Sequence, residues 1–253
     1  MADGPWPGGA AGAVSVTFDD GLPSQRERAV PLLEAAGLRA TFYLNPRGGK
    51  AGAGGEAPWA ERLEPWRAVA ASGHELGNHT VGHPCAANFG FAERRGTLEG
   101  MTLAELAADI DLAEARLRHV AAGGPRSFAY PCYQDSVGEG TGRQSYVPLV
   151  AARFVAARTR GERPNHPGRC DLHHLWSFPA ERMGAAELIG LCEQAAGAGA
   201  WTILTFHGVS EGGLSVAEGD LDQLCAHLGR HAGRLWTAPV AAVAAAVRAW
   251  RGR

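Results

Sequence analysis

The sequence predicts an α/β protein, an incomplete or distorted β/α barrel, and three observations carry that prediction. Apolar runs of strand length alternate with longer amphipathic stretches along the chain. About seven such strands can be counted, and the length of 253 residues is close to the ~250 typical of this architecture. Chemistry-bearing residues also recur just after predicted strands, at the carboxyl ends where β/α proteins place their catalytic loops.

Residues 13–18 read as the first strand. Ser24 is placed to cap a helix that runs through Val30 and Leu33 and stops at Gly37. Residues 39–44 form the second strand, 59–72 the second helix and 74–77 a short third strand, giving β-α-β-α-β. From Thr102 a long helix carries Leu103, Leu106, Ile110, Ala113 and Leu117 at helical spacing through to Ala121. Residues 127–130 form a short strand stopped by Pro131, and 153–156 another. The helix Ala185–Ala198 leads into Trp201–Phe206, the most strand-like run of the second half. Residues 221–231 are helical, Leu235–Thr237 is a last strand and residues 240–250 close the chain. Two stretches, 84–100 and 133–148, are long, Gly-bearing and irregular, the character of lids or disordered excursions. One domain over residues 1–253, with those two stretches as lid loops, is expected.

Composition excludes several function classes. A formal charge of −2 without any basic run gives no footprint for nucleic acid or an anionic membrane. No window approaches the ~20 consecutive apolar residues of a membrane span, and residues 1–12 lack the basic start and apolar core of a signal peptide. The five cysteines (Cys85, Cys132, Cys170, Cys192, Cys225) are odd in number and show no C-x-x-C pair. That argues against a zinc ribbon and a disulfide framework, and a reducing cytoplasm is expected.

Thr17-Phe18-Asp19-Asp20-Gly21 sits at the end of the first strand. Asp-Asp-Gly is good turn chemistry, but adjacent carboxylates repel unless something takes up the charge. A divalent cation can bind one and leave the other as a base. His79 and His83, four residues apart after another short strand, can face one point. His227 and His231 have the same spacing inside a predicted helix, with no strand before them, and read as a solvated face. Asp20, His79 and His83 together make a three-ligand site with room for water and substrate, the open type used in catalysis. Zinc (Zn2+) suits the ligand types best, and Co2+, Ni2+ or Fe2+ would accept the same set. His207, at the end of Trp201–Phe206, is placed to act as a general acid.

With these residues assembled, the sequence resembles the NodB-homology polysaccharide deacetylases, the fourth carbohydrate esterase family. The resemblance rests on Thr17-Phe18-Asp19-Asp20-Gly21, on Gly73-His74-Glu75-Leu76-Gly77-Asn78-His79-Thr80 with His83, on Phe128-Ala129-Tyr130-Pro131, and on Leu204-Thr205-Phe206-His207. It implies a distorted seven-stranded barrel and metal-dependent removal of an acetyl group from an amino sugar such as N-acetylglucosamine. Asp19 would be the base, Asp20, His79 and His83 the metal ligands, and His207 the acid.

The third motif departs from the family pattern. Ala129 and Cys132 stand where the family carries a base-orienting arginine and an aromatic oxyanion residue. Arg126 and Arg158 are candidates for the first role, and the backbone N–H of Cys132 for the second. His174 and Trp176 lie where the family's acid-tuning Asp-Trp element would be. Tyr130, Tyr133, Phe89, Phe91 and Trp176 either pack under loops or form a rim for substrate. The missing export signal favours a soluble glycosylated metabolite, as in the branch that deacetylates glycopeptide-antibiotic pseudoaglycones. Alternatives are chitin or peptidoglycan oligosaccharides, O-acetyl xylan, or a non-catalytic sugar-binding role, against which the retained Asp19 and His207 count.

Overall fold

The computed structural model describes residues 4–50, 56–90 and 96–252. Its main sheet contains β1 (Gly12–Asp19), β2 (Thr41–Leu44), β3 (Glu75–Asn78), β4 (Ser127–Ala129), β5 (Ala156–Arg158), β6 (Phe178–Pro179), β7 (Trp201–Phe206) and β8 (Leu235–Thr237). The order is β6-β7-β1-β2-β3-β4-β5, with β8 joined to the start of β1. Every pairing in this sheet is parallel. The seven strands of the main run curl into a half-barrel, the distorted β/α barrel expected from the sequence.

β1 lies near the middle and all eight of its residues are buried, as expected of a parallel strand covered on both faces. Phe18 stacks on Phe42 and Phe206, at 5.1 and 5.4 Å between ring centroids. On the other face the polar side chains are satisfied within the sheet. Ser15 donates to Ala238 O (2.8 Å) and Thr17 to Leu204 O (2.8 Å). The helices α1 (Val30–Ala35), α2 (Trp59–Leu63), α3 (Trp66–Ala71), α4 (Leu103–Leu117), α5 (Val147–Ala151), α6 (Ala185–Ala198), α7 (Glu218–Arg230) and α8 (Val240–Arg251) connect the strands. α4 opens on a capping box between Thr102 and Glu105. Among the described residues, no helix is long and apolar enough to cross a membrane.

Several expectations need correction. Ser24 does not cap a helix; its hydroxyl accepts from Val209 N at 3.0 Å, and a π-helical turn, Gln25–Ala29, precedes α1. The helix expected over 59–72 is divided in two around Pro65, which has no N–H to carry the ladder. The strand expected at 153–156 is β5, which begins three residues later; Phe154 instead packs beside Phe128 and Tyr130 ahead of the strand. β6 was not anticipated, being two residues long and containing proline. Cys85 and Cys132 are joined in a disulfide, Cα–Cα 5.8 Å, against the expectation of none. Cys170, Cys192 and Cys225 are free.

Candidate active site

The carboxyl ends of β1, β3 and β7 bring Asp19, Asp20, His79, His83 and His207 to one cavity. The turns after β1 and β3 that deliver these side chains use left-handed backbone at three non-glycine residues: Asp20 (φ 74°), Thr80 (φ 60°) and His83 (φ 51°). Such conformations persist where surrounding bonds fix them. Asn78 Oδ1 accepts from Thr80 N (2.9 Å), Thr80 Oγ1 accepts from His83 N (2.9 Å), and both Asp109 carboxylate oxygens accept from Gly82 N (3.0 Å).

The result is a three-ligand constellation. Asp20 Oδ1 lies 4.0 Å from His79 Nε2 and 3.6 Å from His83 Nε2, and one donor atom from each residue falls within 4.8 Å of the others. His79 Nδ1 donates to Ala129 O at 2.8 Å, which leaves the Nε2 lone pair facing the carboxylate. Burial holds the His79 imidazole below its usual pKa despite the nearby Asp19 and Asp20, so it favours the neutral, ligating form. Asp20 Oδ1 is buried without a hydrogen-bond partner. A buried, unsatisfied carboxylate oxygen between two imidazoles is what a divalent cation would satisfy, so the residues present fit a metal.

Asp19 is 3% exposed and forms an ion pair with Arg158, which is fully buried. Burial alone would raise the Asp19 carboxyl, but Arg158, with His79 and His207, outweighs it and holds the group below the usual carboxylate range. The guanidinium lies over the rings of Tyr43 (4.9 Å) and Tyr133 (5.9 Å). Gly77 leaves the space for Tyr43, since a Cβ there would sit 2.3 Å from its ring. In register, Arg158 on β5 is the direct partner of Ala129 on β4. Arg126, the other candidate, is engaged elsewhere, by Glu114 (2.9 Å) and Leu76 O (3.2 Å).

His207 pairs through Nδ1 with Glu181 Oε1 at 2.8 Å. Burial pulls the imidazole down, yet Glu181, Asp19 and Asp20 together push it above its ordinary value. Glu181 follows β6 and was missed from sequence; the one available signal, an acid after the apolar pair Phe178-Pro179, is weak. His174 does not reach His207 and instead pairs with Asp135 at 3.0 Å. Trp176 is likewise outside the cavity that Asp20, His79 and His207 line, and borders a separate one.

The pocket, of about 520 Å³, is walled mainly by aromatic and apolar side chains: Phe89, Tyr130, Tyr133, Pro179 and the unanticipated Leu214, with Cys132 and Arg160. The Tyr130 hydroxyl is occupied, donating to His173 O (2.8 Å). Phe91 lies outside the described residues. Of the control pair, His227 binds Glu193 at 2.8 Å and His231 Nδ1 donates to His227 O at 2.8 Å. His227 ties α7 to α6 while His231 bonds within its own helix end, so the pair is half-buried rather than the solvated face expected, and it belongs to neither of the two groups of potential metal donors among the described residues.

Residues 8–137 match the polysaccharide deacetylase family. No curated protein matches the sequence. Among solved structures, a Mycobacterium smegmatis protein assigned to the polysaccharide deacetylases is 18% identical, TM-score 0.64, over 96% of this chain and 92% of that one. One from Pseudomonas aeruginosa PAO1 with the same assignment is 14% identical, TM-score 0.66, over 96% and 93%. The Bacillus subtilis peptidoglycan deacetylase PdaC is 13% identical, TM-score 0.51, over 95% and 93%.

Proposed function

The chain belongs to the polysaccharide deacetylase family, and on that premise we propose that it is a metal-dependent N-deacetylase acting on an acetylated amino sugar. The observation that carries this reading is the unsatisfied Asp20 Oδ1 between two imidazoles, flanked by an Arg158-held Asp19 and a Glu181-paired His207. Asp20, His79 and His83 would hold the ion, zinc on ligand type. A bound ion of this kind polarises the acyl carbonyl and acidifies water. Asp19, kept ionised, takes the proton of the attacking water, and His207, kept charged, returns one to the departing nitrogen. We assign the backbone N–H of Cys132, on the pocket wall, to the developing oxyanion.

The size of the pocket and its walls of Phe89, Tyr133 and Leu214 support a bulky, partly apolar glycoside. The glycopeptide-antibiotic pseudoaglycone class is therefore our first substrate proposal, and peptidoglycan or chitin oligosaccharides the second. Mass spectrometry of each class after incubation tests the reading: loss of the acetyl mass from an amide supports it. Intact amides alongside cleaved acetyl esters would make the protein an O-acetyl esterase. The cytoplasmic placement expected from cysteine spacing is not carried forward, because the Cys85–Cys132 bridge is a state that oxidising compartments sustain.

Glu181→Gln tests the acid. The Glu181 carboxylate raises the His207 pKa, so removing the charge lowers it, and the alkaline limb of the kcat profile should move to lower pH with the acid limb unchanged. An unmoved alkaline limb would separate Glu181 from the titration.

We propose the segment after His83 as a lid. Its roots are closed by the Cys85–Thr97 bridge, by Leu98 N donating to Cys85 O (3.1 Å), and by Ala86 N donating to Gln134 Oε1 (2.7 Å). Phe89 reaches the pocket wall. Replacing residues 87–96 by a short Gly/Ser link should raise KM for a large glycoside several-fold and leave KM for a minimal N-acetyl sugar unchanged. Equal effects on both would end the lid reading.

A further inference from the structure

We infer that the chain carries a second glycan-binding site, centred on Trp176 and separate from the metal pocket; this rests on the carbohydrate reading above. Trp176 is 40% exposed, one of three large apolar side chains left exposed among the described residues. Its placement is nonetheless tightly determined. Asn165, itself 3% exposed, accepts from Trp176 N (2.9 Å) and donates to Trp176 O (2.8 Å). Asn165 is in turn anchored to the first residue of β7 by reciprocal backbone bonds with Trp201 (2.7 and 2.9 Å). The indole lies against Gly161, where a Cβ would fall 2.2 Å from its Cγ, so no other residue at 161 accommodates it.

An exposed aromatic ring held rigidly in this way costs little further ordering when it binds. Beside it is a cavity of about 640 Å³ whose other walls include Arg163, His166, Arg169, Asp171 and His174. Charged and polar groups around an aromatic plane suit a pyranose, whose C–H face covers the ring while its hydroxyls bond to the rim.

The position specifies an oligosaccharide rather than a single sugar. Gly161 follows Arg160, and Trp176 precedes Pro179 by three residues; Arg160 and Pro179 both line the metal pocket. Three residues span no more than ~11 Å between α-carbons. A chain of several sugars can therefore occupy both sites at once, so that the second site adds affinity to the first.

N-acetylglucosamine oligomers of two and six units are the probes. For the hexamer, Trp176→Ala should raise KM about tenfold without changing kcat, as expected for loss of one aromatic contact. The dimer should be unaffected, and Trp176→Phe should restore most of the hexamer affinity. Calorimetry on the Asp19→Asn protein gives a reading independent of turnover: adding Trp176→Ala should weaken hexamer binding by the same factor. Absence of hexamer binding, unchanged hexamer affinity, or an equal loss for the dimer overturns the site. The functional reading fails separately, when the wild-type protein leaves the acetyl amides of both oligomers and of the pseudoaglycone glycosides in place.

Discussion

Replacing His79 or His83 by alanine should strip the divalent ion and abolish turnover, while His227→Ala combined with His231→Ala should leave both metal content and rate intact. The two pairs share the same spacing and differ in what surrounds them. Around the first, Asp20 Oδ1 approaches both Nε2 atoms and has no other partner, so deleting either imidazole leaves two of three protein donors. Three-ligand sites retain their ion through all three donors, and even the partners that orient a ligand are typically worth 10- to 100-fold in affinity. Around the second, His227 is committed to Glu193 and His231 to a helix carbonyl. The double control variant should therefore melt slightly lower through loss of the α6–α7 tie, with an unchanged metal ratio. Elemental analysis after dialysis, run beside the acetyl-loss assay, reads both quantities. Metal loss from the control, or retention in His79→Ala, would move the ion to other residues.

Local pattern made much of this architecture legible. The long apolar runs gave β1, β7 and β8 to within a residue, and α6 matched its predicted bounds. The motifs at the ends of β1, β3 and β7 could be read because covalent continuity carries a side chain from strand to pocket. The failures are non-local. Ser24 has good N-cap chemistry, but a backbone N–H 185 residues away claims its hydroxyl. The cysteines that pair are 47 residues apart, and no spacing rule relates them. Sequence reasoning left Arg126 and Arg158 as alternatives because choosing between them requires the register between β4 and β5, which pairs Arg158 with Ala129. Glu181 was invisible for a related reason: its place beside His207 depends on a two-residue strand that carries no periodicity.

That register leads to the second large effect. Arg158→Met should lower kcat by about 10²- to 10⁴-fold, the range of a positioned proton transfer, while the metal stays bound. Arg158 touches neither the proposed ligands nor the reacting atoms; it acts through Asp19, as a positioning residue. With the guanidinium gone, burial would raise the Asp19 carboxyl, opposed only by His79 and His207, so the acid limb of the pH profile should shift upward. The stability cost should also be large. Removing one partner of a buried ion pair leaves an uncompensated charge, about 3–5 kcal/mol, or very roughly 10 °C of melting temperature in a protein of this size. The double variant Arg158→Met with Asp19→Asn removes both charges and should recover much of the lost stability without recovering any activity. Asp19→Asn alone should keep the metal and lose the same 10²- to 10⁴-fold in rate, because it deletes the base and spares the ligands. The cycle reads the stability of the pair, and since Asp19→Asn deletes the base, the single variant reads its role in catalysis: a merely structural Arg158 predicts that Arg158→Met, assayed well below its melting temperature, keeps the wild-type rate and acid limb. An Arg158→Met protein with wild-type rate and an unmoved acid limb would show that Asp19 is oriented by something else.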